Sequence, residues 1–173
     1  MKTIRVLLLL LTITGCEFKA QTNIETIDPE SAKDSINLLL NDWHAAAGQA
    51  NYEGYFNLMA GDGVFIGTDA TENWQNEEFR SFAKPYFDRG TAWSFSALER
   101  NIYFSAEGDI AWFDELLDTQ MGICRGSGVL ENTAEGWKIK HYVLSIAIPN
   151  ENVEEVTELK RDFDRALIED LRQ

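Results

Sequence analysis

Two histidines, His44 and His141, stand in a chain of 173 residues that also carries 29 acidic side chains. The chemistry open to such a chain is proton transfer, or polar-ligand recognition, by a carboxylate beside an imidazole or a guanidinium. Glu115, Arg125 and His141 lie in segments of two-residue alternation. Lys138 and Lys140 belong in water, so Trp137, Ile139, His141, Val143 and Ser145 face the protein interior. Three-residue turns ending in glycine at Gly122 and Gly136 pair Glu115 with Ser127, Leu117 with Arg125, Arg125 with Ser145 and Val129 with His141. Glu115, Arg125 and His141 then share one concave face. Asp114 falls on the other face with Trp112, Tyr142 and Leu144. A slip of one residue exchanges the two sets and hands the role to Asp114.

Each candidate has two readings. Glu115 and Arg125 form either a structural ion pair or a carboxylate tuned by burial and an arginine for acid–base work or ligand orientation. His141 is either a satisfied core residue or the partner base. His44 follows Leu40 by four residues, at the edge of a helical stripe. It looks into the mouth of a pocket or caps the core edge. Trp93 and Trp137 read as packing, with Trp93 kept as a candidate ligand contact. The same parity turns Cys124 away from the pocket, and no base is near it in sequence, which argues against a thiol nucleophile. No metal site is expected, because the two histidines lie far apart and the cysteines are not clustered. No glycine-rich loop opens a helix, and Gly126-x-Gly128 sits inside a strand, so no cofactor is expected.

Composition narrows the partners. The formal charge of −14 repels phosphate backbones and excludes nucleic-acid binding through a basic groove. The 45% apolar and 12% aromatic content, with three prolines, fits one packed domain.

Residues 1–15 read as a bacterial lipoprotein signal peptide: Lys2 and Arg5, an apolar run from Val6, then Ile13-Thr14-Gly15-Cys16. The run is shorter than the roughly 20 residues a permanent span needs. Ile13-Thr14-Gly15-Cys16 resembles a lipobox, which implies acylation of Cys16 and a domain held outside the cytoplasm at the cell envelope. An ordinary signal peptide cut nearby, with Cys16 incidental, is the plainer alternative. Residues 16–30 read as a tether, 31–150 as the domain and 151–173 as an amphipathic helix with eight acidic and four basic side chains.

The elements that must position the candidates follow from periodicity. A helix capped by Ser31 or Asp34 carries Ile36, Leu39, Leu40, Trp43, Ala46, Ala47 and Ala50 on one face. A second runs from Tyr52 to Met59 and stops at Gly61-Asp62-Gly63, before a strand over 64–68. After a polar loop over 69–75, Asn76 to Phe87 reads as a third helix. From Ala92 the period is two, giving strands at 93–97, about 101–105, 111–119, 123–133 and 137–148. Helices first and an antiparallel meander second predict an α+β fold, with helices packed on one face of a curved sheet. The outer-face set Trp112, Tyr142, Leu144 and Ile146 is too apolar for water, so a symmetric partner or the C-terminal helix should cover it.

Several blocks in order carry a resemblance. They are Trp43-His44 with Tyr55-Phe56, Val64 through Trp74, Ala111-Trp112-Phe113-Asp114-Glu115, Cys124 through Leu130, Gly136-Trp137-Lys138-Ile139 and Ile148-Pro149-Asn150. Together they resemble the SnoaL-like branch of the nuclear transport factor 2-like superfamily. The resemblance implies a conical, strongly curved mixed sheet around N-terminal helices, a deep pocket for a small organic molecule, and a homodimer formed through the outer sheet face. Members include isomerases, dehydratases, hydrolases and non-catalytic modules, so fold alone does not choose a function. Many relatives carry a histidine where this chain has Val143, which removes a mechanism that depends on that position. A binding domain, a cofactor-independent lyase, isomerase or hydrolase using Glu115 with His141 or His44, and a non-catalytic interaction module all remain open.

Overall fold

The computed structural model describes residues 28–173. The signal peptide, Cys16 and most of the expected tether lie outside the described residues. Helix α1 (Pro29–Gly48) begins inside that stretch, because Asp28 caps the N–H of Ser31 and Pro29 suits the first helical turn. Its inward stripe of Ile36, Leu40, Trp43 and Ala47 is fully buried, and His44 sits on the same side.

Helix α2 (Tyr52–Phe56) is shorter than its apolar pattern predicts. Strand β1 (Met59–Ile66) starts where that helix was expected to continue. Gly61-Asp62-Gly63, read above as a turn, is an irregularity inside β1, between its pairings at Met59 and Val64. Strand β2 (Asn73–Gln75) folds back on β1 and leads into α3 (Asn76–Asp88).

Four strands complete the sheet: β3 (Phe95–Phe104), β4 (Ile110–Thr119), β5 (Gly122–Thr133) and β6 (Gly136–Ile146). Their order is β2-β1-β6-β5-β4-β3, antiparallel except for the parallel pair β1 and β6. The segments 93–97 and 101–105, expected as separate strands, contribute to one strand, β3, with a register shift between Ala97 and Glu99. Such bulges bend a strand and deepen the curl of the sheet.

Two local events overturn the predicted parity. The β4–β5 turn holds two residues rather than three, since Thr119 pairs directly with Gly122. Every partner of β4 therefore slips by one, and Glu115 faces Gly126 instead of Ser127. Gly122 adopts a φ of +82°, which the tight turn needs and which other residues resist. The β5–β6 turn is also two residues long, but Val129 and His141 still pair as expected. Between the Leu130–Ile139 and Val129–His141 pairs, β6 has one extra residue, Lys140. Before that bulge Ile139 points inward. After it the inward residues are Tyr142 and Leu144, not His141 and Val143.

The apolar outer patch is corrected accordingly. Tyr142 and Leu144 belong to the core, leaving Trp112 and Ile146 exposed on the sheet. The C-terminal helix α4 (Val153–Leu171), entered through a 3-10 turn at Asn150–Asn152, has no buried residue. None of the described helices is long and apolar enough to cross a membrane.

Candidate functional site

Glu115 is the polar centre of the cone. It is 1% exposed, on β4 among Phe113 and Leu117. Three hydrogen-bond donors from three elements, and one further ion-pair contact, meet its two oxygens. His44 Nε2 on α1 donates to Oε1 at 2.9 Å, and the Tyr142 hydroxyl on β6 donates to the same oxygen at 3.0 Å. Arg100 on β3 donates from Nε to Oε2 at 2.9 Å, with Nη2 at 2.8 Å. Arg100 Nη1 turns to α1, reaching the Asn37 and Asn41 side-chain oxygens at 3.2 and 3.0 Å. A buried carboxylate is tolerated only when it is paired and hydrogen-bonded in this way.

The sheet register explains the meeting. Arg100 and Glu115 are direct partners across β3 and β4, so both point into the cone. Gly126, opposite Glu115 on β5, supplies the space: a Cβ there would lie 3.0 Å from Glu115 Cγ and would overlap the Tyr142 ring end. Burial pushes the Glu115 carboxyl up. The hydrogen bonds from His44 and Arg100 and the positive charge of Arg100 outweigh it and hold the group below its ordinary value. Burial, followed by the neighbouring Glu115 charge, drives the Tyr142 phenol well above its ordinary range, so it remains a donor.

With Nε2 donating to Glu115, His44 has Nδ1 left, and that buried atom has no hydrogen-bond partner. A carboxylate that fixes one ring nitrogen as the donor leaves the other as the acceptor in the neutral ring. The ring lies 5.7 Å from Phe95, which lines a cleft at the mouth of the cone.

That cleft is about 110 Å³, walled by Phe65, Trp74, Phe79, Phe82, Trp93, Phe95, Met121 and Leu144, with Thr68, Glu72 and Gln120 at its edge. Trp74 stacks on Phe82 at 4.3 Å, and Phe79 stacks on Phe65 at 4.1 Å. Below the cleft the cone is filled: Trp43 stacks on Tyr55 at 4.8 Å and meets Tyr142 edge-on at 4.8 Å. A larger groove of about 550 Å³ lies elsewhere, between the β1 irregularity, the start of α3 and the β5–β6 turn. Its lining mixes charged and polar side chains such as Asp62, Glu77, Arg80, Glu131 and Lys138 with apolar ones, and does not include Glu115.

The structure therefore joins Glu115 to His44 and separates both from Arg125 and His141. Arg125 pairs across from Leu116 and is exposed on the outer face. His141 is half-buried and, one residue before inward Tyr142, also faces outward. Cys124 moves the other way, fully buried opposite Leu117. Asp114 stays on the outer face, where Asn101 Nδ2 donates to it at 3.2 Å. Trp93 lines the cleft and packs parallel to Phe79 at 5.8 Å. Among the described residues no three His, Cys, Asp or Glu side chains converge to hold a metal.

Arg100 and Tyr142 were not among the candidates. Arg100 alternates with Ile102 and Phe104, and an arginine in phase with apolar strand residues signals an inward side chain. Gly126 was the sign of a bulky neighbour across the sheet, but Tyr142 could be matched to it only once the bulge at Lys140 was known.

Residues 36–149 match the family model of the SnoaL-like domain. The chain belongs to the SnoaL-like domain family. No curated protein matches it significantly. Solved structures of the same fold include a nuclear transport factor 2-like protein of unknown function from Pseudomonas putida, with 16% identity, a TM-score of 0.59 and coverage of 71% of this chain and 92% of that one. A candidate aromatic ring hydroxylase from Novosphingobium aromaticivorans has 16% identity, a TM-score of 0.61 and coverage of 70% and 93%. A candidate dehydratase of the same superfamily from Streptomyces avermitilis has 13% identity, a TM-score of 0.61 and coverage of 70% and 100%. The SnoaL-like domain of this chain thus shares its curled sheet and N-terminal helices with proteins of diverse description.

Proposed function

We propose that this SnoaL-like domain binds a small, flat, largely apolar molecule at the mouth of its cone, and that Cys16 anchors the chain by lipid to a membrane of the bacterial envelope. The observation that carries the binding reading is the cleft itself. It is an aromatic-walled recess of about 110 Å³ with few polar groups at its rim, as small-molecule sites tend to be. That volume is on the scale of a single aromatic ring. Neither Glu115 nor His44 lines the cleft; Phe95, which does, lies 5.7 Å from the His44 ring. The envelope reading rests on Ile13-Thr14-Gly15-Cys16 following a short apolar run.

Calorimetric titration with phenol tests the binding reading. Saturable binding in the wild type, lost when Met121→Trp fills the cleft, is expected. Equal binding by Met121→Trp would sink it.

One observation favours a second, catalytic reading. The unpartnered Nδ1 of His44, fixed from behind by Glu115, is the arrangement of a general base. It lies behind Phe95, so substrate would reach it only when that ring swings aside. On this reading His44→Gln abolishes turnover of a bound molecule and leaves its binding intact.

A further inference from the structure

The aromatic cleft carries charge of one sign. Glu72 is the one acidic side chain among the described residues that wall it, and no lysine, arginine or histidine joins it there. The turn between β1 and β2 sets its position. Gly67 N–H donates to the Glu72 carbonyl at 3.0 Å, and a Cβ on Gly67 would overlap Glu72 Oε2. The carboxylate therefore lies over Gly67, which is itself part of the cleft wall. Asp69 N–H donates to Oε2 at 3.2 Å, and among the described residues no basic side chain pairs with Glu72. The cations of the neighbouring helix α3 are engaged elsewhere. Arg80 Nη1 lies 3.9 Å from Glu53 with its guanidinium 4.8 Å from the Phe56 ring, Lys84 pairs with Asp88, and the Arg89 guanidinium sits 4.7 Å from the Tyr86 ring. Glu72 is thus a half-buried carboxylate with no cation of its own.

The aromatic wall has the same sign. The face of an aromatic ring is the negative part of its quadrupole, and tryptophan attracts cations most strongly. Trp74 and Trp93 both run nearly parallel to Phe79, at 14° and 19°, with centroids 5.5 and 5.8 Å from it. Parallel rings touch at about 3.5 Å, so these rings are slipped sideways by roughly 4 Å and leave part of each face uncovered. An anion would find no base in this recess, and a neutral ring would gain burial alone. An organic cation would gain burial, the ring faces and the Glu72 charge. The formal charge of −14 on the whole chain also draws cations towards it.

We infer that the cleft takes an organic cation, an ammonium group carried on a small apolar or aromatic body, with Glu72 as its counter-charge. This rests on the binding reading above and adds the sign of the ligand.

Benzylammonium, benzyl alcohol and benzoate share one flat ring and differ in charge. In calorimetric titration of the full chain at low salt, benzylammonium should bind at least about tenfold more tightly than benzyl alcohol, with benzoate weakest. Met121→Trp, which fills the cleft, should abolish benzylammonium binding. Glu72→Gln keeps an oxygen for the Asp69 N–H and should bring benzylammonium within about threefold of benzyl alcohol. The affinity for benzyl alcohol should not change in that variant, which reports an intact cleft. Glu77→Gln removes an exposed carboxylate outside the cleft and should keep the preference, separating a local contact from the net charge. Benzyl alcohol bound as tightly as benzylammonium, a preference unchanged by Glu72→Gln, a preference lost in Glu77→Gln, or benzylammonium bound equally by Met121→Trp would each overturn the cation assignment. Benzyl alcohol or phenol bound in the cleft without that preference would leave the binding reading standing. If none of the three compounds binds, and phenol does not, the binding reading fails and takes this inference with it.

Discussion

Arg100 and Glu115 face each other across β3 and β4, with the guanidinium Nε 2.9 Å from a carboxylate oxygen that solvent does not reach. The pair fastens the sheet to α1, because the same arginine reaches Asn37 and Asn41 and the same carboxylate holds His44.

Removing one partner of such a pair strands a buried charge. Arg100→Met should destabilise the domain by about 3–5 kcal/mol in urea unfolding. Arg125→Met, on the exposed face, should stay within about 0.5 kcal/mol of wild type. A larger loss for Arg125 than for Arg100 would place the ion pair where strand parity first put it.

Much of the architecture was legible, and the site was half legible. The stripe of α1, the third helix, the paired strands and the amphipathic end followed from periodicity, since burial of one face imposes it. Glu115 and His44 were both recognised, but not their contact, which joins residues 71 apart in sequence. Arg125 and His141 were misplaced for small reasons. A two-residue turn at Gln120-Met121 and one extra residue at Lys140 each reverse every side chain beyond them. Bulges leave almost no trace in a hydrophobic pattern, because the alternation simply resumes out of phase.

Gly126 is where that lost information resides. Gly126→Ala should cost about 1–3 kcal/mol, because the methyl group would press on the Tyr142 ring and Glu115. Thermal unfolding checks this, and a neutral result would mean that Tyr142 does not occupy the space beside Glu115.

Acid should loosen the fold through Glu115. Its carboxyl titrates lower in the folded chain than in the unfolded one, so the unfolded state takes up a proton first as pH falls. The stabilisation is complete above the ordinary glutamate value of about 4.5 and is lost as pH drops through the folded value. Asp62, held down by Lys140, and Asp69, held down by Thr71, act in the same direction from the surface. Melting temperature should therefore fall below about pH 4.5, and less steeply in Glu115→Gln than in wild type. Identical slopes would show that Glu115 is not the group responsible.

The proposed lipid anchor makes its own prediction. Cys16→Ser should move the protein from the membrane to the soluble fraction, and the wild-type mature chain should begin at Cys16. A mature N-terminus elsewhere would refute the anchor.

Native mass spectrometry of the protein purified from the cells that make it tests the binding reading most directly. One small organic molecule should remain bound to the wild type and be missing from Met121→Trp. A bare wild-type mass in every preparation, or the same adduct on Met121→Trp, would contradict a ligand in the aromatic cleft.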